Sequence, residues 1–317
     1  MTNFGFETTS DEAATALSSY IQGRTVIITG VTEGSLGADI ARALAPHMPA
    51  ILILASRSKE KIMKVVNRIQ FSSETKVQVL ELDLASLASV RAAAEKILDW
   101  TTSVDAIMET AGVMAVPDFT KTEDGVEMQF AVNHLGHFLL TNLIMPRLLA
   151  SQTGGRVVPF TSAGHKQAVL NLEDVNFKNG EYYNKWWAYG SSKGCNILFA
   201  LGLDQRFGNR GLRSFAVDPG VIVGTGLSRN VEKTEFIELG WLNPDGSAPA
   251  GFIQKSAAQG AATGIVAAFD PALADQKGSV MEGGTVNNGM AAPYALERSN
   301  IDKLWELSEE LVDQHFM

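Results

Sequence analysis

The sequence predicts an α/β fold: a single domain built on a doubly wound parallel sheet of seven strands, with helices on both faces. Short runs of β-branched residues alternate with segments of helical length along most of the 317 residues. Strands that alternate with helices need crossover connections, which make the sheet parallel and cover both of its faces. Hydrophobic residues make up 45% of the chain, and no linker, repeat or low-complexity tract divides the sequence, so one large core is expected.

The predicted elements follow one another in a regular order. The strands are residues 24–29, 51–55, 77–82, 104–108, 156–161, 212–217 and 279–281. The helices between and after them are residues 38–44, 59–69, 87–100, 126–149, 182–207 and 256–269. A further helix at residues 13–20, after the start signal Ser10-Asp11-Glu12, precedes the first strand. We therefore expect a helical extension at residues 1–22, the α/β domain at 23–290 and a helical tail at 291–317.

Composition excludes several classes of function. The net charge of −9 argues against nucleic acid or an anionic membrane surface as a partner. Cys195 is the single cysteine, so neither a disulfide framework nor a cysteine metal site is possible within one chain, and no metal site is predicted. No lysine or arginine precedes Arg24, which argues against a signal or transit peptide, and no apolar run is long enough to span a membrane. A cytoplasmic protein without a membrane span is therefore expected.

A glycine-rich loop follows the first predicted strand. Gly30, Gly34 and Gly37 would let the backbone approach a pyrophosphate closely, with Thr32 and Leu36 in the same loop. The helix that begins there offers free N–H groups at its N-terminus. A tight connection between a strand and a helix would also use glycines, but this position, after the first strand of an alternating chain, favours dinucleotide binding.

The end of the second predicted strand indicates which dinucleotide is bound. An acid at this position would bind the ribose 2′-OH of NAD, and the sequence has Ser56 and Arg57 there instead. A hydroxyl and a guanidinium suit a 2′-phosphate, which arginine meets with two charge-assisted hydrogen bonds. The sequence therefore predicts NADP(H), the alternative being that Arg57 is a solvated surface residue.

Tyr189 and Lys193 form the candidate acid–base pair. They lie four residues apart in a predicted helix, so both side chains face the same side. A free tyrosine keeps its proton to about pH 10. A neighbouring ammonium favours the phenolate, so we expect the pKa of Tyr189 to be lowered towards the range that suits acid–base catalysis.

Seven motifs together give the chain a specific resemblance to a known family. They are Thr29-Gly30 with Gly34 and Gly37, Leu-Asp-Leu at 82–84, Ala-Gly-Val-Met at 111–114, Asn-His-Leu-Gly-His-Phe at 133–138, Ser-Ala-Gly-His at 162–165, Tyr189 to Lys193, and Asp-Pro-Gly at 218–220. With these the chain resembles the short-chain dehydrogenase/reductases, in the branch of the retinol dehydrogenases and WW-domain oxidoreductases, and fungal members in particular. The resemblance covers about residues 23–284 and implies a Rossmann-type sheet.

The resemblance implies a catalytic tetrad of Asn133, Ser162, Tyr189 and Lys193. Tyr189 would exchange a proton with the reacting oxygen, and Ser162 would hydrogen-bond the same oxygen. Lys193 would hold the nicotinamide ribose and lower the pKa of Tyr189, while Asn133 would anchor a water that relays protons. Without the resemblance, Ser162 would be read as the start of a turn and Asn133 as the site of a helix kink.

The resemblance also implies further cofactor contacts and a substrate loop. Asp83 would contact the adenine amino group with Leu84 beside it, and residues 236–251, rich in Gly, Pro and Asn, correspond to the mobile, variable substrate loop. The other implied cofactor contacts are Ala111, Gly112, Pro219, Gly220, Val221 and Thr225.

Three departures from the family pattern need an explanation. Gly34 and Gly37 are one residue further apart than usual, which predicts a slightly longer loop that still binds. Glu109 and Thr110 replace a pair of asparagines, and Pro159 lies inside a central strand, where its missing N–H removes a ladder bond. We expect a structural role for Glu109, because Tyr189 already supplies the proton; recruitment for proton transfer is the alternative.

These observations predict an NADPH-dependent oxidoreductase that reduces a ketone or aldehyde of a lipophilic small molecule, or oxidises the alcohol, with secondary metabolism as the setting. Trp186, Trp187 and Trp241 favour a bulky or aromatic substrate, although core packing would also explain the first two. The alternatives are a member that uses NADP(H) for cyclisation, dehydration or imine or C=C reduction, and a non-catalytic NADP(H)-binding regulator.

The assembly is expected to be a homodimer or homotetramer. The two long helices at 126–149 and 182–207 carry more apolar positions than one buried face needs. In the family these helices often pair across a two-fold axis, which would place Cys195 in or near the pairing.

Overall fold

A twisted sheet of eight strands forms the centre of the computed structural model, which describes residues 4–222, 224–249 and 253–316. The strands are β1 (Thr25–Thr29), β2 (Ile51–Ser56), β3 (Lys76–Glu81), β4 (Ala106–Glu109), β5 (Arg156–Pro159), β6 (Arg213–Asp218), β7 (Val221–Ile222), β8 (Gln254–Lys255), β9 (Ser279–Glu282) and β10 (Thr285–Val286). The sheet order is β10-β9-β6-β5-β4-β1-β2-β3, and β7 pairs with β8 apart from it. Every pairing in the large sheet is parallel except that of β10 with β9.

The predicted fold class is confirmed, with one correction to the strand count. All seven predicted strands are present, but the sheet has an eighth, β10, which turns back beside β9 after Gly283 and Gly284. Both glycines have positive φ angles, which let the chain reverse tightly. Two residues are too few to give an alternating pattern, so the sequence could not reveal this strand.

The helices cover both faces of the sheet. They are α1 (Ser10–Ala16), α2 (Ser18–Ile21), α3 (Leu36–Leu44), α4 (Lys59–Val66), α5 (Leu87–Trp100), α6 (Met128–Phe130), α7 (Gly136–Leu143), α8 (Met145–Leu148), α9 (Phe177–Gly180), α10 (Lys185–Phe207), α11 (Lys233–Glu238), α12 (Ala257–Phe269) and α13 (Arg298–Leu311). Helices α5, α7, α10 and α13 pack on one core, and α1, α3 and α12 pack on the other. Across the described parts of the chain, each helix is too short or too polar to cross a bilayer.

Two of the predicted long helices differ from the observed ones. The helix predicted at 126–149 is divided, because a π-helical turn, Ala131–Leu135, separates α6 from α7, and Ile144 leaves the helical conformation before α8. The helix predicted at 182–207 begins at Lys185 instead. The Asn184 side chain accepts hydrogen bonds from the N–H groups of Trp186 and Trp187, at 2.9 and 3.1 Å, and so caps the helix.

The strand order reverses direction at β1, which lies between β2 and β4. The loops that follow β1 and β4 therefore leave the sheet side by side, which is where ligands bind in doubly wound sheets. The Thr110 hydroxyl donates to the Thr29 carbonyl, and the Ala111 N–H donates to the Thr29 hydroxyl at 3.1 Å. Thr110 thus ties the two loops together in spite of the departure from the asparagine pattern.

Pro159 coincides with a gap between β5 and β6. The two strands pair at Val157 and Ser214, and their next contact is a single bridge between Phe160 and Val217. The Thr161 N–H donates to the Val217 carbonyl at 2.8 Å, so by alternation the nitrogen of Pro159 also faces β6. It has no hydrogen to donate, and the ladder is interrupted there, close to the start of the loop that carries Ser162.

The C-terminal helix α13 covers α7 and α10. Trp305 packs against Phe138 with ring centroids 5.0 Å apart, and the Ser308 hydroxyl lies 2.8 Å from His134 Nε2. The apolar surplus on these helices, from which the sequence predicts helix pairing, is thus used within one chain. Cys195 is only 1% exposed there. Its place in or near a helix pairing stays a prediction, as does the oligomeric state itself.

Candidate active site

Asn133 lies in the π-helical turn, and its side chain is fully buried. Its amide nitrogen donates to the Val113 carbonyl at 2.9 Å and to the Ser192 hydroxyl at 2.8 Å, and its Oδ1 accepts from the Val113 N–H at 2.8 Å. These bonds join the loop after β4 to α10. The predicted kink at Asn133 and its predicted place in the site are therefore the same feature, as is frequent for π-helical turns.

Lys193 and Asn133 face a common point beside Gly112. A Cβ atom on Gly112 would lie 3.1 Å from Asn133 Oδ1 and 3.5 Å from Lys193 Nζ, so both groups approach the loop closely at this glycine. The Lys193 ammonium donates to the Phe160 carbonyl at 2.9 Å, and the Asn196 amide donates to the same oxygen at 2.9 Å. Lys193 is thereby held at the C-terminal end of β5.

Ser162 and Tyr189 bring their hydroxyl groups together. Ser162 begins the turn after β5, and its Oγ accepts the Gly164 N–H at 3.2 Å, which is the turn role the sequence left open. A hydrogen bond with Ser162 also lowers the pKa of Tyr189. Tyr189 is 5% exposed and packs with Met114 and Ala115. The four predicted catalytic residues thus converge at the carboxyl ends of β4 and β5.

The expected lowering of the Tyr189 pKa is wrong for the described structure. Burial raises the pKa of Tyr189 to about 12, and the negative charge of Asp218 raises it further against the opposing hydrogen bond from Ser162. Burial also lowers the pKa of Lys193 to about 8. The Lys193 ammonium lies 5.9 Å from the centre of the Tyr189 ring, so the cost of removing a phenolate from water outweighs its attraction.

A cleft of about 180 Å³ opens where the loops after β1 and β4 diverge. Most of the predicted cofactor contacts line it: Gly30, Thr32, Leu36, Ser56, Arg57, Asp83, Leu84, Ala111, Gly112 and Thr225. Gly30 has a φ of 75°, and a Cβ there would lie 2.8 Å from the Ala111 Cα, so only glycine leaves the two loops this close. The cleft therefore has the backbone approach that a pyrophosphate needs.

Other predicted contacts lie outside the lining of this cleft. Gly34 supplies a turn with a φ of 72°, and a Cβ on Gly37 would lie 2.7 Å from the Thr110 hydroxyl, so Gly37 serves the packing of α3. Gly220, after Pro219, donates its N–H to Asp218 at 2.8 Å. Val221 pairs with Gln254 in the small ribbon. Val223 and the end of the predicted substrate loop, residues 250–251, lie outside the described residues.

Arg229 is a cleft residue that the sequence reasoning missed. It lines the cleft together with Gly226 and Leu227, and it comes from the segment after β7. Partial burial lowers the pKa of Arg229, and the positive charge of Arg57 lowers it further, so the two guanidinium groups influence each other across the cleft. It lies four residues beyond Thr225, the last residue that the sequence analysis assigned to the cofactor, and that proximity is the one signal the sequence offers.

Glu109 is buried at the end of β4, behind the catalytic groups. Its Oε1 accepts the Thr141 hydroxyl at 2.6 Å. Burial raises the pKa of Glu109 to about 8, against the hydrogen bond from Thr141 and the charge of Lys193, both of which lower it. Glu109 is thus packed against α7, with Lys193 as a charged neighbour.

A cleft at the reversal point of a doubly wound sheet is the usual place for a dinucleotide. The hydroxyl groups of Ser162 and Tyr189, with the Lys193 ammonium beside them, are donors that suit an oxygen on which negative charge develops. Fold and site together define a dinucleotide-dependent oxidoreductase.

Comparison with known proteins identifies the family. A family model described as short chain dehydrogenase matches residues 24–174. The short-chain dehydrogenase/reductase prx1 of Penicillium rubens is 38% identical over 300 residues, which are 90% of this chain and 84% of that protein. Retinol dehydrogenase 14 of Mus musculus is 34% identical over 308 residues, 92% of this chain and 86% of that protein. The crystal structure of an uncharacterized protein from Mycobacterium paratuberculosis has 32% identity and a TM-score of 0.71, and it covers 94% of this chain and 96% of its own.

The chain belongs to the short-chain dehydrogenase/reductase family, whose members use nicotinamide cofactors. The resemblance stated from the motifs, to the branch of the retinol dehydrogenases with fungal members, is confirmed.

Proposed function

We propose that the protein reduces a ketone or aldehyde of a lipophilic small molecule with NADPH, or oxidises the corresponding alcohol in reverse. The observation that carries this proposal is the convergence of Asn133, Ser162, Tyr189 and Lys193 beside a cleft that fits a dinucleotide. Glu109 and Pro159, which raised the alternative of a repurposed member, have structural surroundings, so no second function is favoured.

The residues around the cleft fit a nicotinamide dinucleotide. Gly30 lies against Ala111, and the N-terminus of α3, which Ser35 caps, offers backbone N–H groups beside it. When bound, the cofactor supplies the hydride. The pyrophosphate would lie against Gly30 and the start of α3, and the adenine would lie near Asp83.

The charge at the end of β2 supports NADP(H). The cleft is lined by Ser56, Arg57 and Arg229. The residues at the end of β2 include no acid that could bind a ribose 2′-OH. Two guanidinium groups that repel each other gain when an anion lies between them. A 2′-phosphate is such an anion, and Arg229 would be its second cationic contact.

Each catalytic residue has a separate role in the reaction at the carbonyl oxygen. The Ser162 and Tyr189 hydroxyls donate hydrogen bonds to this oxygen, which stabilises the charge that develops as the hydride reaches carbon. Tyr189 then transfers its proton to the oxygen, and an alcohol results. Lys193, beside Asn133, returns a proton towards the phenolate. A tyrosine with a pKa of about 12 is fully protonated at neutral pH, which suits the reductive direction.

The surroundings of Tyr189 support a lipophilic substrate. Met114, Ala115, Leu227 and Val231 pack around it among the described residues. A charged group placed among these side chains would lose its hydration, which costs several kcal/mol.

Cofactor preference is tested by replacing the arginine at the end of β2. Arg57→Ala should weaken NADPH binding by about 10- to 100-fold, because a charge-assisted hydrogen bond contributes ~1.5–3 kcal/mol, and it should leave NADH binding nearly unchanged. Fluorescence titration of both cofactors measures this. Lys59→Ala is the matched control, since Lys59 is an exposed cation two residues away that does not line the cleft. Equal loss for both cofactors, or tighter binding of NADH by the unmodified protein, would refute the preference.

Substrate class is tested by NADPH consumption with a panel of lipophilic ketones, aldehydes and quinones beside their charged analogues. We expect turnover to be confined to uncharged members of the panel. Faster turnover of the charged analogues would contradict the proposed substrate class.

A further inference from the structure

The segment between β7 and β8 packs against the start of α10, the helix that carries Tyr189 and Lys193. We call residues 226–241 the lid segment; it contains α11. Glu235 on α11 uses both carboxylate oxygens to hold α10. Its Oε2 accepts from the Lys185 ammonium at 2.7 Å, and its Oε1 accepts from the indole N–H of Trp186 at 2.9 Å.

An aromatic wall lies beside this contact. It consists of Trp186 from α10 and of Phe236 and Trp241 from the lid segment. The rings of Trp186 and Trp241 meet edge to face with centroids 5.2 Å apart, and those of Phe236 and Trp241 lie 5.9 Å apart. Trp186 and Phe236 also belong to the apolar group that surrounds Tyr189. The wall is therefore continuous with the surroundings of the reacting hydroxyl.

Glu235 contacts the aromatic wall through Trp186. The hydrogen bond from the indole N–H to Glu235 fixes the orientation of the Trp186 ring, and Trp241 of the lid segment packs against that ring. Lys185 neutralises the carboxylate at 2.7 Å, so the contact adds no net charge to the pocket. Removing the carboxylate would leave both the ammonium and the indole N–H, which are only partly exposed, without this partner.

We propose that Glu235 is a positioning residue that fixes the aromatic wall, and that this wall selects flat, uncharged aromatic substrates at Tyr189. The inference rests on the proposed function, because it specifies the substrate class of the same site. It goes further in assigning the selection to a contact between the lid segment and the catalytic helix.

The test measures binding of two naphthalene probes separately from turnover. 2-Naphthaldehyde is flat and neutral, and 6-carboxy-2-naphthaldehyde adds one negative charge. Quenching of tryptophan fluorescence gives the dissociation constant of each probe, with no need for catalysis. The unmodified protein should bind the neutral probe at least about tenfold more tightly than the anion, because a carboxylate would lose its hydration among the apolar side chains around Tyr189.

The variants are Glu235→Ala, Glu235→Gln and the control Glu238→Ala, an exposed glutamate on the same helix. Glu235→Ala should weaken binding of 2-naphthaldehyde by about tenfold or more, since a charge-assisted bond is lost. Glu235→Gln should lose less, because its amide oxygen still accepts the indole N–H. Glu238→Ala should bind like the unmodified protein. In turnover, the loss should appear in KM rather than in kcat, because Tyr189 is untouched.

The inference and the proposed function fail in different ways. If NADPH is not consumed with any carbonyl while the probe affinities follow the expected order, the proposed function is refuted, but the role of Glu235 in positioning the aromatic wall is supported. The inference is overturned if Glu235→Ala binds 2-naphthaldehyde as tightly as the unmodified protein, if Glu238→Ala loses as much, or if the anionic probe binds equally well. Thermal unfolding of each variant shows whether Glu235→Ala is folded; if it is not, the comparison of Glu235→Gln with Glu238→Ala decides.

Discussion

A tyrosine buried beside a serine hydroxyl keeps its proton well above neutral pH. Burial raises the pKa of Tyr189 to about 12. The hydroxyl is therefore a good proton donor for carbonyl reduction, but it is too rarely deprotonated to act as an efficient base in alcohol oxidation. We therefore expect alcohol oxidation to accelerate from about pH 7 to about pH 9, while carbonyl reduction does not accelerate over this range. Measurements of kcat/KM in both directions check this, and an oxidation rate that is highest at neutral pH would contradict it.

Glu109 is a buried acid whose charge state should affect stability. Its pKa is raised from 4.5 to about 8 by burial, so the folded protein favours the protonated form. An acid whose pKa is higher in the folded state than in the unfolded state stabilises the fold fully below its unfolded-state pKa. This contribution is lost as the pH rises through the folded-state pKa. Glu109→Gln should therefore gain stability relative to the unmodified protein between about pH 4.5 and pH 8, by up to ~1.4 kcal/mol per pH unit. Chemical denaturation at several pH values measures the difference.

The same substitution separates a structural from a catalytic Glu109. The negative charge of Glu109 raises the pKa of Lys193, so its removal should move any alkaline limb that reports Lys193 to lower pH. Both limbs of the pH–rate profile should remain, because Tyr189 supplies the proton. Loss of one limb in Glu109→Gln would show that Glu109 takes part in proton transfer.

At the scale of elements, the C-terminal helix α13 is part of the core. Trp305 is 4% exposed, and its ring contacts those of Phe138 and Phe199 and the Arg206 guanidinium. Trp305→Ala should cost about 3–5 kcal/mol in the free energy of unfolding, the usual cost of a large aromatic cavity. Lys303→Ala, an exposed change on the same helix, should cost little. Similar unfolding midpoints for the two variants would mean that α13 is only loosely attached.

The regular elements were predictable because their signals are local. β-Branched runs marked β1 and β2, and the predicted bounds of α5 match the observed ones, with Ser86 as its N-cap. At Asn133 the sequence offered a helix kink as an alternative, but not its π-helical form, because that form depends on hydrogen bonds to Val113 and Ser192, which are distant in sequence. The short strand β10 was too brief to leave a pattern.

The site was predictable only in part, for the same reason. The motif residues carry their roles in the sequence, and the cleft brings most of them together. Arg229 and Glu235 lie in a polar stretch without periodicity, so their partners across the cleft and on α10 could not be read locally. The pKa of Tyr189 was misjudged because its burial depends on residues of the lid segment packed around it.

At the scale of the whole molecule, the one thiol reports on global structure. Cys195 on α10 is 1% exposed in the core that this helix shares with α7 and α13, and burial raises the pKa of its thiol. A thiol reagent should therefore label it only when the protein unfolds. Protection should be independent of protein concentration, because it arises within one chain of 34.1 kDa. Protection that increases with concentration would instead support the predicted helix pairing between subunits.

The N-terminal segment should also contribute to the stability of the folded protein. The Lys255 ammonium lies 4.0 Å from the centre of the Phe6 ring, and the Gln259 amide donates to Glu7 at 2.7 Å. These contacts fasten the N-terminal segment to β8 and α12, next to the ribbon that follows Gly220. Phe6→Ala should lower the unfolding midpoint, since Lys255 loses a cation–π partner that contributes about 0.5–2 kcal/mol. An unchanged midpoint would mean that the segment contributes nothing to stability.

The central claim is that the Tyr189 hydroxyl protonates a carbonyl in an NADPH-dependent reduction. Its most direct test is the turnover of NADPH with 2-naphthaldehyde by Tyr189→Phe, with NADPH affinity measured on the same samples. Turnover should fall by at least about 100-fold, which is what general acid catalysis contributes, while NADPH binding stays nearly intact. Retained turnover in Tyr189→Phe, with the cofactor bound normally, would contradict the claim.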